Sequence, residues 1–124
     1  MRLSEAIRLG AISCKWGQCS IVDSQGNRCA FGMAAFAIGD MRNGVEVVDN
    51  WRWTNEMVPL HAAVRKISGD SDPMPINGQI MCLNDSMTLT PLQIADWVEG
   101  LERERGMWDE EVVQVEQGEA VEVR

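Results

Sequence analysis

Apolar residues near the start of the chain, Leu3, Ile7 and Ala11, recur at about helical spacing, which predicts a first helix that fades near Cys14. Ser4 is its expected N-cap, and Glu5 falls where negative charge favours the positive end of the helix dipole. Ile21 and Val22 precede Asp23-Ser24-Gln25-Gly26, so a short strand or extended piece and a tight turn are expected. From Cys29 to Ile38 the chain is apolar on every side, the pattern of a central helix enclosed by the rest of a domain. Gly32 within it costs about 1 kcal/mol relative to alanine, which suggests a close backbone approach there, and Gly39 suits the position just past its end.

Residues 40–55 mix an Asn43-Gly44 turn signal with the strand-like Val45, Val47 and Val48. Met57, Leu60, Ala63, Val64 and Ile67 then predict a helix, with Pro59 in its first turn and Arg65 and Lys66 in its last, before Gly69. Residues 68–78, rich in proline and glycine, read as a loop leading to a short helix or strand around Ile80, Met81 and Leu83. Thr90, Pro91 and Gln93 form a capping box that opens a further helix. Its apolar side is Ile94, Trp97, Val98 and Leu101, its wet side Gln93, Asp96, Glu99 and Glu102 to Arg105, and it ends near Gly106. Beyond it, Val113, Val115, Val121 and Val123 alternate around Gln117-Gly118-Glu119 as in a β-hairpin that docks, pairs with another chain, or frays. The fold class is therefore mainly α (α+β): a small helical domain over residues 1–106 around a buried central helix, and an acidic extension over residues 107–124.

At 124 residues, 45% of them hydrophobic and 24% charged, the chain has room for one core and the composition of a folded domain. Its net charge of -8 makes nucleic acid an unfavourable partner. Residues 107–124 carry six acids and one base, hence five of those eight charges, so the body is only mildly acidic. No apolar run is long enough to span a bilayer, and with no secretory signal the expected location is the cytoplasm, where the four cysteines stay free thiols.

Catalytic signals are weak. A cysteine nucleophile needs a base, and His61 is the single histidine, so buried structural thiols are the favoured reading of Cys14, Cys19, Cys29 and Cys82. Apart from one unusual pair, Cys14-x4-Cys19, the cysteines and His61 are scattered singly and lack the paired spacing of a zinc site, and Asp70, Asp72 and Asp109 to Glu111 read as solvated loop and tail acids. Trp51 and Trp53 form either an aromatic clamp or a core anchor.

Taken in order, LSEAIRLGA, Asp23-x-x-Gly26, CAFGMAAFAIG, Trp51-x-Trp53, Leu83-Asn84-Asp85 and IADWVE at Ile94 to Glu99 resemble a family of small phage and bacterial proteins over about residues 3–101. The resemblance implies a zinc-binding Cys2His2 arrangement, from a C-P-x-C pair and an H-L-N-D-x-H segment. This chain departs there: Cys82 and Met87 stand where the histidines would be, and residues 68–75 hold no cysteine. The expectation is a lost metal and no cofactor, with Leu83, Met87 and Leu89 packing the corner instead and Asn84-Asp85 serving as a cap or turn.

Two functions follow as expectations. The first is a non-enzymatic phage or mobile-element protein that binds and modulates a host or phage protein through its acidic tail, including Asp109, Glu110 and Glu111. The second is a pocket for a nucleotide-like ligand near Trp51, Trp53, His61, Asn84 and Asp85. A tail hairpin with an exposed edge also suggests a homodimer.

Overall fold

A computed structural model describes residues 1–18, 22–39 and 50–108. Within them the chain folds as a mainly α domain: α1 (Leu3–Ser13), α2 (Ala30–Ala37), a 3-10 turn (Arg52–Asn55), β1 (Met57–Val58), α3 (Ala62–Ser68), β2 (Met74–Pro75), α4 (Ile76–Asp85) and α5 (Pro91–Glu104). The strands β1 and β2 pair antiparallel, Met57 opposite Pro75 and Val58 opposite Met74. No helix among the described residues is long and apolar enough to cross a membrane.

Helix α1 buries Leu3, Ala6, Ile7 and Gly10, spaced i, i+3, i+4 and i+7, and packs on both α2 and α5. Its N-cap is Arg2, not Ser4. Glu5 reaches back to accept from the Arg2 backbone N–H at 3.1 Å and from its guanidinium at 2.6 Å. Ser4 is drawn inside the first turn because the Glu102 carboxylate accepts from both its N–H (3.2 Å) and its hydroxyl (2.6 Å).

Trp16 and Arg28 form an isolated parallel bridge, with the Gly17 N–H donating to Arg28 O and the Arg28 N–H to Lys15 O, each at 2.8 Å. Between them Asp23 closes the expected turn. Its carboxylate accepts from the N–H groups of Asn27 and Gln25, both at 2.9 Å, and these bonds, that of Asn27 most, hold its pKa below the usual carboxylate range. The strand expected at Ile21 and Val22 falls partly outside the described residues, and Val22 lies in a bend.

Helix α2 is the central helix that its composition predicts: Ala30 through Ala35 are all buried, while Phe36 reaches the surface. The close approach of backbones to α2 occurs from the α1 side. A Cβ on Gly10 would collide with the carbonyl oxygen of Met33 and lie 2.8 Å from its Cα, so only glycine lets the two helices come together at this point.

The helix predicted from Met57 begins five residues later. Met57 and Val58 are strand, Pro59 lies in the connector and His61 is the N-cap of α3; Met57 and Ile67 are exposed rather than packed. The extended form wins because a buried glutamine, Gln79, takes up the backbone groups that a helix would have used. Gly69 ends α3 in the left-handed region, at φ 73°. Residues expected to be loop are already α4 from Ile76 onward, the turn before it being held by the two-strand pairing.

Helix α5 starts as its capping box predicts: Thr90 Oγ1 accepts from the Gln93 N–H at 3.2 Å, and Gln93 Oε1 from the Thr90 N–H at 2.9 Å. One residue departs from the expected wet side. Glu102 is fully buried, beside Ile94, Ala95, Val98 and Leu101. The residues 40–49, the tail hairpin and its homodimer edge lie outside the described residues.

Two glycines of equal sequence character should therefore respond oppositely. Gly10→Ala is expected to destabilise the fold by about 1–3 kcal/mol, through overpacking against a backbone that cannot yield. Gly100→Ala, in α5 with nothing near its Cβ position, is expected to stabilise it by about 0.5–1 kcal/mol. Urea unfolding of both variants measures the pair; a neutral Gly10→Ala would refute the contact.

Candidate functional site

The polar residues singled out by sequence occupy separate hydrogen-bond networks, each of which holds backbone. Asn84 sits at the end of α4, fully buried, and uses all four of its hydrogen-bonding positions. Its Oδ1 accepts from Trp16 Nε1 at 2.9 Å and from the Ala30 N–H at 3.1 Å, and its Nδ2 donates to Gly17 O at 3.0 Å and to Asp85 Oδ1 at 3.1 Å. Since Ala30 is the first residue of α2, Asn84 caps the central helix from another element and fixes the Trp16–Gly17 segment beside it. Asp85 supports the same corner, its backbone oxygen accepting from Gln18 Nε2 at 2.5 Å. The expected capping role is thus realised by Asn84, at the start of α2.

His61 belongs to a second network. Its Nδ1 accepts from the Ala63 N–H at 2.9 Å and so caps α3, while its own N–H donates to Gln79 Oε1 at 2.8 Å. The ring meets Trp97 edge to face, with centroids 5.5 Å apart. With Nδ1 accepting, the neutral imidazole carries its proton on Nε2, and burial lowers its pKa below the ordinary histidine value. Gln79 completes the network through Nε2, which donates to Val58 O (3.3 Å), Pro59 O (3.3 Å) and Met74 O (3.2 Å). One amide side chain therefore ties β1, the connector and β2 to α4.

The two tryptophans do not share a surface role. Trp51 is a core residue, 5% exposed, its indole N–H donating to Met1 O at 3.3 Å. Trp53 is half-buried, with the Arg105 guanidinium 5.3 Å above its ring and that guanidinium paired to Glu56 at 2.6 Å. The core-anchor reading holds for Trp51.

Glu102 and Trp108 were not legible as a unit. The Trp108 indole N–H donates to Glu102 Oε1 at 3.3 Å, while Arg2 lies 3.4 Å above the Trp108 ring and Arg103 4.4 Å from its centroid. This cluster joins the start of α1, the end of α5 and the last described residue. The acidic residues Asp109, Glu110 and Glu111 lie beyond it, outside the described residues.

Of the described thiols, Cys29 is buried while Cys14 and Cys82 are half-buried. Burial pushes the Cys29 thiol up, against the opposing pull of the Gly32 and Phe31 N–H groups at the start of α2, so the reactive thiolate is disfavoured. Among the described residues, no three of His, Cys, Asp and Glu converge into a set that could hold a metal ion. At the corner where the resembling family would place zinc, Leu83 is buried and Leu89 half-buried, but Met87 is exposed and adopts a left-handed φ of 59°. The expected packing contact of Met87 is not made.

Compared with family models, curated proteins and solved structures, the chain matches none.

Burial of the His61 ring makes stability depend on pH with a definite sign. Because the folded His61 resists protonation more than the unfolded one, its contribution is complete above the unfolded value of about 6.5 and is lost as pH falls below it towards the lower folded value. Melting between pH 7.5 and 5.5 should show this loss, and His61→Asn, which retains an oxygen cap without a titrating ring, should reduce it. An identical slope in the variant would rule the imidazole out as its source.

Proposed function

We propose that this chain is a non-enzymatic protein of phage or mobile-element context that binds a protein partner through its acidic C-terminal extension, residues 107–124. The observation that carries this reading is the use to which the body puts its own chemistry. Asn84, Gln79, Glu102 and the His61 imidazole each bond to backbone or to structural side chains, so the groups that catalysis or ligand recognition would need are committed to the fold. Charge, by contrast, collects beyond Trp108, where six acids meet one base. Trp108 itself has two guanidinium groups against its ring, which anchors the last described residue before that segment. Such an arrangement suits a rigid body that presents a mass of negative charge to a basic surface, where electrostatic attraction speeds encounter and favours one sign of partner. The motif resemblance over residues 3–101 supports the phage context, and cytoplasmic residence accords with the expected free thiols.

The test is a full-length variant carrying Asp109→Asn, Glu110→Gln and Glu111→Gln, compared with the wild type in affinity capture from host extract. The reading expects a captured basic partner whose retention weakens with salt and falls about tenfold or more in the variant, a loss of about 1.4 kcal/mol or more, with melting unchanged. Equal retention by both chains would contradict it. A nucleotide that raises the melting temperature of both chains equally would instead favour the small-ligand alternative.

A further inference from the structure

Arg28 is the one buried cation of the described residues whose charge is not met by a carboxylate. Arg2, Arg8, Arg103 and Arg105 each pair with Glu or Asp at 2.6–2.7 Å. Arg28 is only 8% exposed, yet its guanidinium has a single hydrogen bond, Nη1 donating to Gly32 O at 3.0 Å, and lies 5.5 Å from the centroid of the Phe36 ring. A guanidinium offers five N–H donors in a planar fork matched to oxyanions, and since no Arg28 nitrogen is both fully buried and without a partner, the donors that Gly32 O does not use face solvent. None of the ion pairs among the described residues includes Arg28. Lys15, whose carbonyl accepts from the Arg28 N–H at 2.8 Å, is exposed and likewise makes no ion pair among the described residues. In a protein of net charge -8 this is a local reversal of sign, set where two segments are pinned by the Trp16–Arg28 bridge.

We propose that the Arg28 guanidinium is the seat of a small oxyanion, of phosphate or carboxylate chemistry, held in the fork left open beside Gly32 O and Phe36. The bridge and the Gly32 contact hold the guanidinium in place before the anion arrives, so little side-chain entropy is lost on binding. Phe36, 41% exposed, marks where the site meets solvent. A reporter is built in beside it. Burial raises the Cys14 thiol pKa and the positive charge of Arg28 opposes that rise, so neutralising Arg28 with an anion removes the opposing pull and leaves less thiolate.

The experiment titrates the full chain with inorganic phosphate, and separately with acetate, at constant ionic strength set by chloride, reading melting temperature and the rate of Cys14 alkylation by peptide mapping. A saturable rise in melting temperature and a several-fold slowing at Cys14 are expected, with phosphate and acetate midpoints telling the two anion chemistries apart. Arg28→Met should lose both responses, and Arg28→Lys, which keeps the charge but not the fork, should bind more weakly. A melting shift no larger than that of chloride alone, or one of equal size in Arg28→Met, would overturn the proposal. Should Arg28→Met fail to fold, the wild-type thiol decides: Cys14 alkylation unaffected by either anion would overturn it.

Discussion

Helices bury stripes of side chains, and in this protein the stripes are not wholly apolar. On α4 the buried positions are Ile76, Gln79, Ile80, Leu83 and Asn84; on α5 they end in Leu101 and Glu102; on α1 Ser4 sits beside Leu3. A polar group placed in a core costs more than it contributes unless it is bonded, so each of these residues constrains whatever lies opposite it. Asn84 imposes the tightest of these constraints. To satisfy its amide, the start of α2, the Trp16 indole and the Gly17 carbonyl must all converge on one point, and the central helix is thereby set against α4. Gln79 does the same for the strand pair, and Glu102 for the junction of α1 with α5. Burial of Leu, Ile and Ala supplies the driving force, and these amides and this carboxylate select one arrangement among those that burial would permit.

How much of this was legible depended on whether the information was local. The α5 capping box, the apolar α2, the Asp23 turn and the glycine ends of α2 and α3 were all readable, because each is decided by neighbours within a few residues. The start of α3 was not: Met57, Leu60 and Val64 have helical spacing, but Gln79, distant in sequence, bonds the carbonyls of Val58 and Pro59 and keeps them extended. Ser4 looked like a cap for the same reason that it is not one, since its small hydroxyl is claimed by Glu102 across the fold. Glu102 offered a signal that residue type obscured. It stands four residues after Val98 and eight after Ile94, on the buried stripe by arithmetic, although its charge points to the wet side. Gly10 offered no more than a glycine inside a helix, a hint that becomes specific only with Met33 opposite.

The candidate site residues occupy different parts of the fold: His61 and Asn84 bond the first turns of two helices in different networks, and Trp51 is core. The interactions proposed above, an acidic segment meeting a basic partner and the Arg28 guanidinium meeting an oxyanion, use charges of opposite sign and spare the polar groups that the core bonds to its own backbone.

Native-state hydrogen exchange tests most directly whether these buried polar side chains hold the fold. The N–H groups of Ala30, Ser4 and His61 have Asn84, Glu102 and Gln79 as their acceptors, and all three should exchange only through global unfolding, with the same free energy as core helix amides such as those of Ile80 and Ile94. Exchange of these three through local openings well below the global value, while the helix interiors stay protected, would show that the side-chain bonds decorate a fold that stands without them.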